Sequence, residues 1–375
     1  VSVIVLCFAA PLLARVAYEF RPPEYFALTI FGLSMLASIS SGGAVKNLIG
    51  GVFGVWLSTI GAERVTAIER FMFGNYELYE GLSFVPVMIG LFAMSELLVQ
   101  SKMANQAVEY IKMKAVQLPS REDYKKIWKT VVRSSGIGTF IGILPAEGAT
   151  VASMIGYSEA KRWSKNKEEF GKGNLEGVIS SETANNAATG AAMIPLLALG
   201  LPGGALTAIM VAVFQFHDME PGPLVFYNSP ELIWVVFAAM FYANVSILFI
   251  GLIETKTILQ LLRIPFHFLA PMILMLASIG AYIGRGLVLD VLVMFLAGMI
   301  GFLLRRSGYS IPGIVLGIIL GKIGEQNFAQ GMQMVHYDLI TYLSRPICAM
   351  LILAGAITLG TGVYKALASN RASTN

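Results

Sequence analysis

The sequence has few charged residues, and this scarcity limits what kind of protein it can encode. Asp, Glu, Lys and Arg make up 13% of the 375 residues, about half of the ~25% that is typical of a soluble domain. Hydrophobic residues make up 56% of the chain, and the mean hydropathy is +0.69. This composition excludes a disordered chain, a secreted disulfide scaffold and an ordinary cytosolic enzyme.

Residues that bind metals or carry out catalysis are also scarce. The two cysteines, Cys7 and Cys348, lie far apart in apolar runs and form no metal motif or disulfide framework. The three histidines lack metal-ligand spacing: His217, His267 and His336. No nucleotide-binding or hydrolase motif is present, and the basic residues 102–133 include few aromatic side chains. The sequence therefore predicts no resident cofactor, no metal and no nucleic-acid partner.

Long runs without charge dominate the chain. A helix of about 20 apolar residues crosses the ~30 Å hydrocarbon core of a bilayer. Runs of this kind cover residues 25–45, 47–62, 81–95, 183–216, 232–253, 264–284, 291–304, 307–321 and 346–364. They predict an all-α polytopic membrane protein with about 9–11 segments in the lipid bilayer.

Two basic loops surround a short apolar stretch. Residues 102–133 and 161–172 are rich in Lys and Arg, and such loops stay cytoplasmic. The apolar residues 134–157 between them are too few for two crossings. We therefore predict a re-entrant helical hairpin with its tip at residues 144–150. Glu147 in that tip is a functional candidate because acids are rare inside membranes.

The charge-free run over residues 183–216 is too long for one straight span. As a single helix it would measure about 51 Å, which exceeds the ~30 Å core even with tilt. Its middle reads Gly-Leu-Pro-Gly-Gly at residues 200–204, which predicts two half-helices joined by an unwound segment. Irregular backbone at this depth is tolerated where it lines a protein or water cavity. Together with the hairpin, it predicts a half-site like that of a secondary transporter.

These features divide the chain into three regions. Residues 1–133 are predicted to form scaffold-like membrane helices that end in a basic cytoplasmic loop. Residues 134–228 form a transport core with the hairpin, an interfacial segment and the broken helix. Residues 229–375 supply the C-terminal membrane helices.

The candidate binding residues lie in the transport core. The N–H groups after the break can meet a carboxylate, and asparagine amides can contact an anion or a cation. The predicted substrate-binding residues are Asn185, Asn186, Pro202, Gly203, Gly204, Ala205, Pro145 and Gly148. The candidates for holding a coupling ion are Glu147, Glu182 and Asn185. Two alternatives stay open: the asparagines can be hydrogen-bonding contacts between helices, and Glu182 can be an acid in the first turn of its helix.

Several short motifs occur in order along this region. They read Tyr157-Ser158-Glu159-Ala160-Lys161-Arg162, Ala184-Asn185-Asn186-Ala187, Leu199-Gly200-Leu201-Pro202-Gly203 and Pro221-Gly222-Pro223. This series resembles the large membrane subunit of the tripartite tricarboxylate transporter family, most densely over residues 136–226. Weaker agreement includes Pro23-Glu24-Tyr25-Phe26 and Arg345-Pro346.

The resemblance implies properties that the residues alone do not show. It implies transport of an organic carboxylate across the bacterial inner membrane, coupled to Na⁺ or H⁺. It also implies two partners, a small four-helix membrane subunit and a periplasmic solute-binding protein. Because the family has two related halves, we expect that this chain lacks most of the first half.

The motifs depart from the family pattern at both key positions. The hairpin tip reads Leu-Pro-Ala-Glu-Gly where Pro-Gly-x-Gly is usual, and the break reads Leu-Pro-Gly-Gly-Ala where Pro-Gly-Ser is common. These departures leave the identity of the carboxylate open. Two other classes compete with a transporter: a membrane-embedded enzyme acting on a lipid-linked substrate, and a channel. The enzyme is disfavoured because the chain has few charges within its apolar runs.

Overall fold

The structure is a computed structural model that describes residues 1–38, 43–103, 120–144, 148–261 and 266–373. Over these residues the chain is mainly helical. The α-helices are α1 (Ser2–Ala17), α2 (Pro22–Met35), α3 (Ala44–Ser58), α4 (Phe84–Ile89), α5 (Ser95–Met103), α6 (Arg121–Gly142), α7 (Gly148–Trp163), α8 (Leu175–Ala191), α9 (Met193–Leu199), α10 (Ala205–Phe216), α11 (Val225–Asn228), α12 (Pro230–Leu261), α13 (Phe266–Ile283), α14 (Val288–Arg306), α15 (Ile311–Met334), α16 (Leu339–Leu343) and α17 (Pro346–Ser373).

Short elements of other kinds connect some of these helices. A π-helical segment, Gly90–Met94, joins α4 to α5. Strands β1 (Gly61–Ala62) and β2 (Glu69–Arg70) pair in antiparallel orientation in the connection between α3 and α4.

The helices have the lengths and compositions that membrane crossing requires. Among the described residues, five stretches are long and apolar enough to span a bilayer: Phe84–Ser101, Pro230–Gly251, Phe266–Ile283, Val288–Arg306 and Pro346–Tyr364. Three shorter apolar helical stretches accompany them: Ser2–Ala17, Ala44–Ser58 and Leu206–Gln215. Many large apolar side chains on these helices are exposed, Leu248 and Met275 among them, as contact with lipid requires. The predicted all-α polytopic membrane class is confirmed.

Glycines allow α3 and α15 to pack backbone against backbone. A Cβ atom built on Gly54 would lie 2.9 Å from the carbonyl carbon of Ile314, and one built on Gly317 would lie 2.9 Å from that of Gly51. Small residues at such positions drive association in lipid, because close approach maximises van der Waals contact. This pair of helices forms the centre of the scaffold.

Ion pairs join the first and last regions of the chain. Glu24 at the start of α2 pairs with Arg345 before α17, and Glu96 in α5 pairs with Arg305 at the end of α14. In addition, α2 packs against both α15 and α17. Helices α2, α3 and α5 thus rest on helices of residues 229–375, whereas α1 packs mainly on α8 and α9. The division into three regions stays a prediction.

One apolar cluster fixes the helices next to the candidate site. It joins α1, α9, α10 and α12 through buried side chains that include Leu6, Ile194, Leu197, Phe214 and Ile233. Burying a side chain of this size contributes roughly 1.5–3 kcal/mol when the alternative is exposure to water. The short helix α9 is therefore held between α1 and the rest of the protein.

Candidate functional site

The apolar stretch between the two basic loops forms a helical hairpin. Helix α6 ends at Gly142, α7 begins at Gly148, and both pack along α8. The side chain of Ser120 accepts the N–H of Asp123 and starts α6 with a capping box. The turn residues Pro145 and Glu147, which we predicted as site residues, lie outside the described residues.

The hairpin contacts α8 through small residues at one-turn spacing. A Cβ on Gly138 would lie 2.9 Å from the backbone of Ala184, and a Cβ on Gly142 would lie 2.7 Å from Cα of Ala188. Gly156 of α7 also approaches α8 closely, and an added Cβ would lie 2.8 Å from Cβ of Ala184 and 2.9 Å from the carbonyl oxygen of Ser180. The three helices are therefore one tightly packed unit.

A carboxylate holds the open end of the hairpin together. Glu176, in the first turn of α8, accepts hydrogen bonds from Thr130 of α6 at 3.4 Å and from Ser164, just after α7, at 2.6 Å. The basic flanks of α6 and α7 consequently lie at the same end of the unit. This arrangement is the one that a re-entrant hairpin requires.

The long charge-free run is broken where the sequence predicts. Gly200 adopts the left-handed conformation with φ of 73° and ends α9. Its N–H donates to Leu196 O, the 5→1 bond of an αL C-cap, and the N–H of Leu201 donates to Pro195 O. The chain resumes as helix at Ala205. The predicted unwound segment is confirmed.

A second interruption, at Ala192, was not predicted. It separates α8 from α9, so the run contains three helical pieces instead of two half-helices. Pro195 explains this break, because proline has no N–H to donate to the carbonyl of Ala191. The sequence contains Pro195, but the predicted break is assigned only to the Gly-Leu-Pro-Gly-Gly segment, which begins five residues later.

The hairpin tip and the break meet in the structure. A Cβ on Gly203 would lie 2.9 Å from Cβ of Ala192 and 3.2 Å from the carbonyl oxygen of Gly142. A Cβ on Gly148 would lie 3.7 Å from the carbonyl oxygen of Gly203. Two of the predicted site residues, Gly148 and Gly203, are thus brought together from separate elements.

The backbone N–H groups after the break differ in their availability. The N–H of Gly204 donates to Oγ1 of the buried Thr207 at 2.9 Å, so this group already has a partner. The first N–H of the helical ladder in α10 belongs to Ala208, which donates to Gly204 O. The N–H groups of Ala205, Leu206 and Thr207 precede that ladder and have no acceptor within the helix.

The polar residues of α8 are not all on its packed side. Asn186 is exposed and its Nδ2 donates to the carbonyl of Glu182 at 2.9 Å, whereas Asn185 is half-buried. Two residues turn an α-helix by about 200°, so Asn186 points away from the contact that Ala184 and Ala188 make with α6. The structure therefore does not bring Asn186 to the hairpin side of α8.

Glu182 is not an acid of the first helical turn. Helix α8 begins at Leu175, and its first-turn acid is Glu176. Glu182 is exposed further along the helix, so that alternative is wrong. Its assignment as a coupling-ion residue stays a prediction.

Two cavities of about 620 Å³ each reach the end of α9 at Gly200. The first is lined by cations from three separate elements: Arg64, Arg285 and Lys322. The second is lined by the aromatic residues Tyr18, Phe20 and Tyr25. Both share residues of the loop after α10, including Asp218 and Glu220. These cations were not predicted as site residues because they are distant in the chain. Their only signal in the sequence is that they are isolated Arg and Lys residues beside long apolar runs.

The cations of the first cavity have different partners. Arg285 forms a bidentate pair with Asp290, which is fully buried. Its Nη1 also lies 3.9 Å from Glu80. Lys322 donates a long hydrogen bond of 3.4 Å to the carbonyl of Leu82. Within the described ranges, no cluster of three His, Cys, Asp or Glu side chains could hold a metal ion.

The loop that carries Arg64 is held by a neighbouring acid. Burial alone raises the pKa of Glu63, but hydrogen bonds from Thr66 and Val65, aided by the nearby Arg70, lower it overall. Glu63 is therefore ionised at neutral pH and fixes the turn between β1 and β2. This turn keeps Arg64 at the edge of the first cavity.

A hairpin packed against a broken helix, within a multi-pass helical protein, defines a membrane transport component. The model of the tripartite tricarboxylate transporter TctA family matches residues 1–316. The chain belongs to this family, whose members are components of a transporter and not enzymes.

Two curated relatives come from Agrobacterium vitis. One is described as an uncharacterized 52.8 kDa protein in the TAR-I ttuC' 3' region; it is 35% identical over 373 residues, which cover 99% of this chain and 74% of the relative. The other, an uncharacterized protein in the TAR-II ttuC' 3' region, is 34% identical over 234 residues, covering 62% of this chain and 97% of the relative. No solved structure matches the chain.

Proposed function

We propose that the protein is the large permease subunit that moves a di- or tricarboxylate, or a related organic anion, across the bacterial inner membrane. The observation that carries this proposal is the contact of the hairpin tip with the break, at Gly148 and Gly203, in a chain of the TctA family. Interrupted helices that meet at membrane depth build binding sites in secondary transporters.

The binding site is proposed to lie at the start of α10. The N–H groups of Ala205 and the following residues point their positive dipole end away from the helix, which favours a carboxylate. Gly203 and Gly204 allow the ligand to approach the backbone, and Pro202 keeps this segment out of the helix. Pro145 and Gly148 would face it from the hairpin tip. Asn185 would contact the anion or its coupling ion, and Asn186 would do so from the face of α8 that is turned away from α6.

Transport is proposed to be coupled to a cation gradient. Na⁺ and H⁺ are the candidate ions, and Glu147, Glu182 and Asn185 are the candidate groups that hold or respond to the ion. A small four-helix membrane subunit and a periplasmic solute-binding protein are the proposed partners, as expected for one component of a tripartite system.

The test is transport by the purified, full-length complex in lipid vesicles. Radiolabelled succinate and citrate would be offered with an imposed Na⁺ or H⁺ gradient, with and without the binding protein. The proposal expects accumulation that depends on one gradient and stops when an ionophore removes it. Rapid equilibration that no ionophore changes would indicate a channel and contradict the proposal.

A further inference from the structure

The first cavity gathers cationic side chains from three elements that are distant in sequence. Arg64 comes from the turn between β1 and β2, Arg285 from the connection between α13 and α14, and Lys322 from α15. The cavity has a volume of about 620 Å³ and extends to Gly200. It therefore places positive charge next to the segment that we propose as the binding site.

Arg64 is exposed to solvent, and of the two less exposed cations Lys322 has the weaker protein partners. Its ammonium donates one long hydrogen bond to Leu82 O, and among the described residues no carboxylate forms an ion pair with it. Arg285, by contrast, is held by Asp290 through two hydrogen bonds. Glu80 attracts Lys322 from a distance without forming an ion pair, while Arg64 and Arg285 repel it. A partly buried ammonium without a close counter-charge is costly, so an anion in the cavity would stabilise the protein.

The cavity also contains acids, and their positions leave Lys322 available. Glu80 is 79% exposed and faces Arg285 at 3.9 Å. Asp218 and Glu220 are exposed residues of the loop after α10 and line the second cavity as well. A cavity with cationic and acidic parts can orient an anion that carries more than one carboxylate. The cations attract its carboxylates and the acids repel them.

We propose that Lys322, assisted by Arg64, binds a carboxylate group of the transported anion before that anion reaches the break. This inference rests on the proposed function. A lysine ammonium offers three donors and a compact charge, which suits a carboxylate that must bind and then move on. Gly200 lines the same cavity, so the anion would be released close to the residues that precede α10.

The experiment uses cysteine reactivity in the full-length subunit, assembled in its complex. Cys7 and Cys348 are replaced by alanine, and Gln326, one turn beyond Lys322 in the same cavity, is replaced by cysteine. The reaction rate of this cysteine is measured with two methanethiosulfonates, one that bears a sulfonate and one that bears an ammonium. Each rate is divided by the rate at which the same reagent reacts with a free thiol in solution. Citrate and succinate serve as the protecting ligands.

The proposal expects the anionic reagent to react faster than the cationic one, and citrate to slow the reaction. Lys322→Gln should weaken the apparent affinity for citrate by about 10-fold or more, the effect of losing a hydrogen bond to a charged group. Lys322→Arg should retain most of the protection. Arg64→Gln should weaken it to a smaller extent.

Lys46 supplies the matched control. Its ammonium also donates to a backbone carbonyl, that of Ser307 at 2.7 Å, but it does not line the cavity. Lys46→Gln should leave protection unchanged. Unchanged protection in Lys322→Gln, or equal loss in Lys46→Gln, would overturn the proposal. If Lys322→Gln fails to accumulate in the membrane, a cationic reagent that reacts as fast as the anionic one in the parent protein overturns it instead.

The outcome also separates this inference from the proposed function. If gradient-driven uptake is normal but citrate protects the cysteine equally well in Lys322→Gln, only this inference is wrong. If citrate protection depends on Lys322 but the complex transports no carboxylate under any gradient, the proposed function is wrong and the anion-binding site remains.

Discussion

Gly142 of α6 lies directly on the backbone of Ala188 in α8, so closely that an added Cβ would be 2.7 Å from Cα of Ala188. One turn earlier, Gly138 makes the same contact with Ala184. The hairpin therefore rests on the first part of the broken helix with no side chain between the two backbones. The position of its tip depends on this contact, because the carbonyl oxygen of Gly142 also faces Gly203, 3.2 Å from where an added Cβ would lie.

Gly142→Val should prevent correct assembly of the hairpin. Its side chain cannot fit without separating α6 from α8, and overpacking of this kind costs about 1–3 kcal/mol or more. We expect reduced membrane abundance and a lower midpoint of thermal unfolding in detergent. Gly136→Ala is the control in the same helix, because no atom lies within 4 Å of its Cβ position. That variant should be neutral or slightly stabilised, and equal loss in both variants would contradict the prediction.

The ion pair of Glu24 and Arg345 should contribute to stability. Glu24 is 2% exposed, and its Oε2 also accepts the N–H of Arg21 at 3.0 Å. Arg345→Met leaves this buried carboxylate without its charged partner, a change that costs about 3 kcal/mol. Thermal unfolding of the purified protein should show a lower midpoint for this variant.

Arg162→Met is a suitable comparison for that measurement. Arg162 pairs with Glu159 on the exposed surface of α7 at 3.4 Å, and exposed pairs contribute about 0–1 kcal/mol. Equal destabilisation by the two substitutions would show that Glu24 and Arg345 have no special role.

Lys165 and Asp218, two positions within the transport core, should face opposite sides of the membrane. Lys165 follows α7 beside the basic flank of the hairpin, whereas Asp218 lies in the acidic loop after α10. Because basic loops stay cytoplasmic, a cysteine at position 218 should react with an impermeant maleimide added to intact spheroplasts. A cysteine at position 165 should react only after the membrane is opened. Lys112, which we expect on the same side as Lys165, lies outside the described residues. Labelling of position 165 from outside would contradict the re-entrant hairpin.

The hairpin and the break could be predicted because their causes are local. The charges that flank residues 134–157 limit the membrane segment between them, and the Gly-Leu-Pro-Gly-Gly segment at residues 200–204 interrupts the helix at its own position. The cavity could not be predicted this way. Arg64, Arg285 and Lys322 are brought together by packing between distant helices, and a single sequence carries no record of which isolated cations share a cavity. The partner of the Gly204 N–H, Oγ1 of Thr207, likewise depends on a side-chain orientation that the sequence does not show.

The structure changes what is expected of one substitution at the break. A valine at Gly203 would meet Ala192 and the carbonyl oxygen of Gly142, so Gly203→Val should lower membrane abundance as well as uptake. It cannot separate ligand binding from packing. The asparagines of α8 offer a cleaner test, since Asn186 is exposed and its side chain bonds only to a carbonyl of its own helix among the described contacts.

Asn186→Leu should lower carboxylate uptake while leaving the amount of protein in the membrane unchanged. The helix does not need the Nδ2 bond, because the carbonyl of Glu182 also accepts the backbone N–H of residue 186 in the α-helical ladder. If the amide contacts the anion or its coupling ion, its loss removes a hydrogen bond to a charged group and reduces apparent affinity by roughly 10- to 150-fold.

Asn244→Leu is the matched control, because Asn244 is also exposed and donates in the same way to Met240 O at 2.8 Å. Uptake by the full-length complex, divided by membrane abundance, should fall in Asn186→Leu and stay at the parent level in Asn244→Leu. Parent-level uptake in both variants would remove Asn186 from the site, and a parallel loss of abundance in Asn186→Leu would assign it to helix packing.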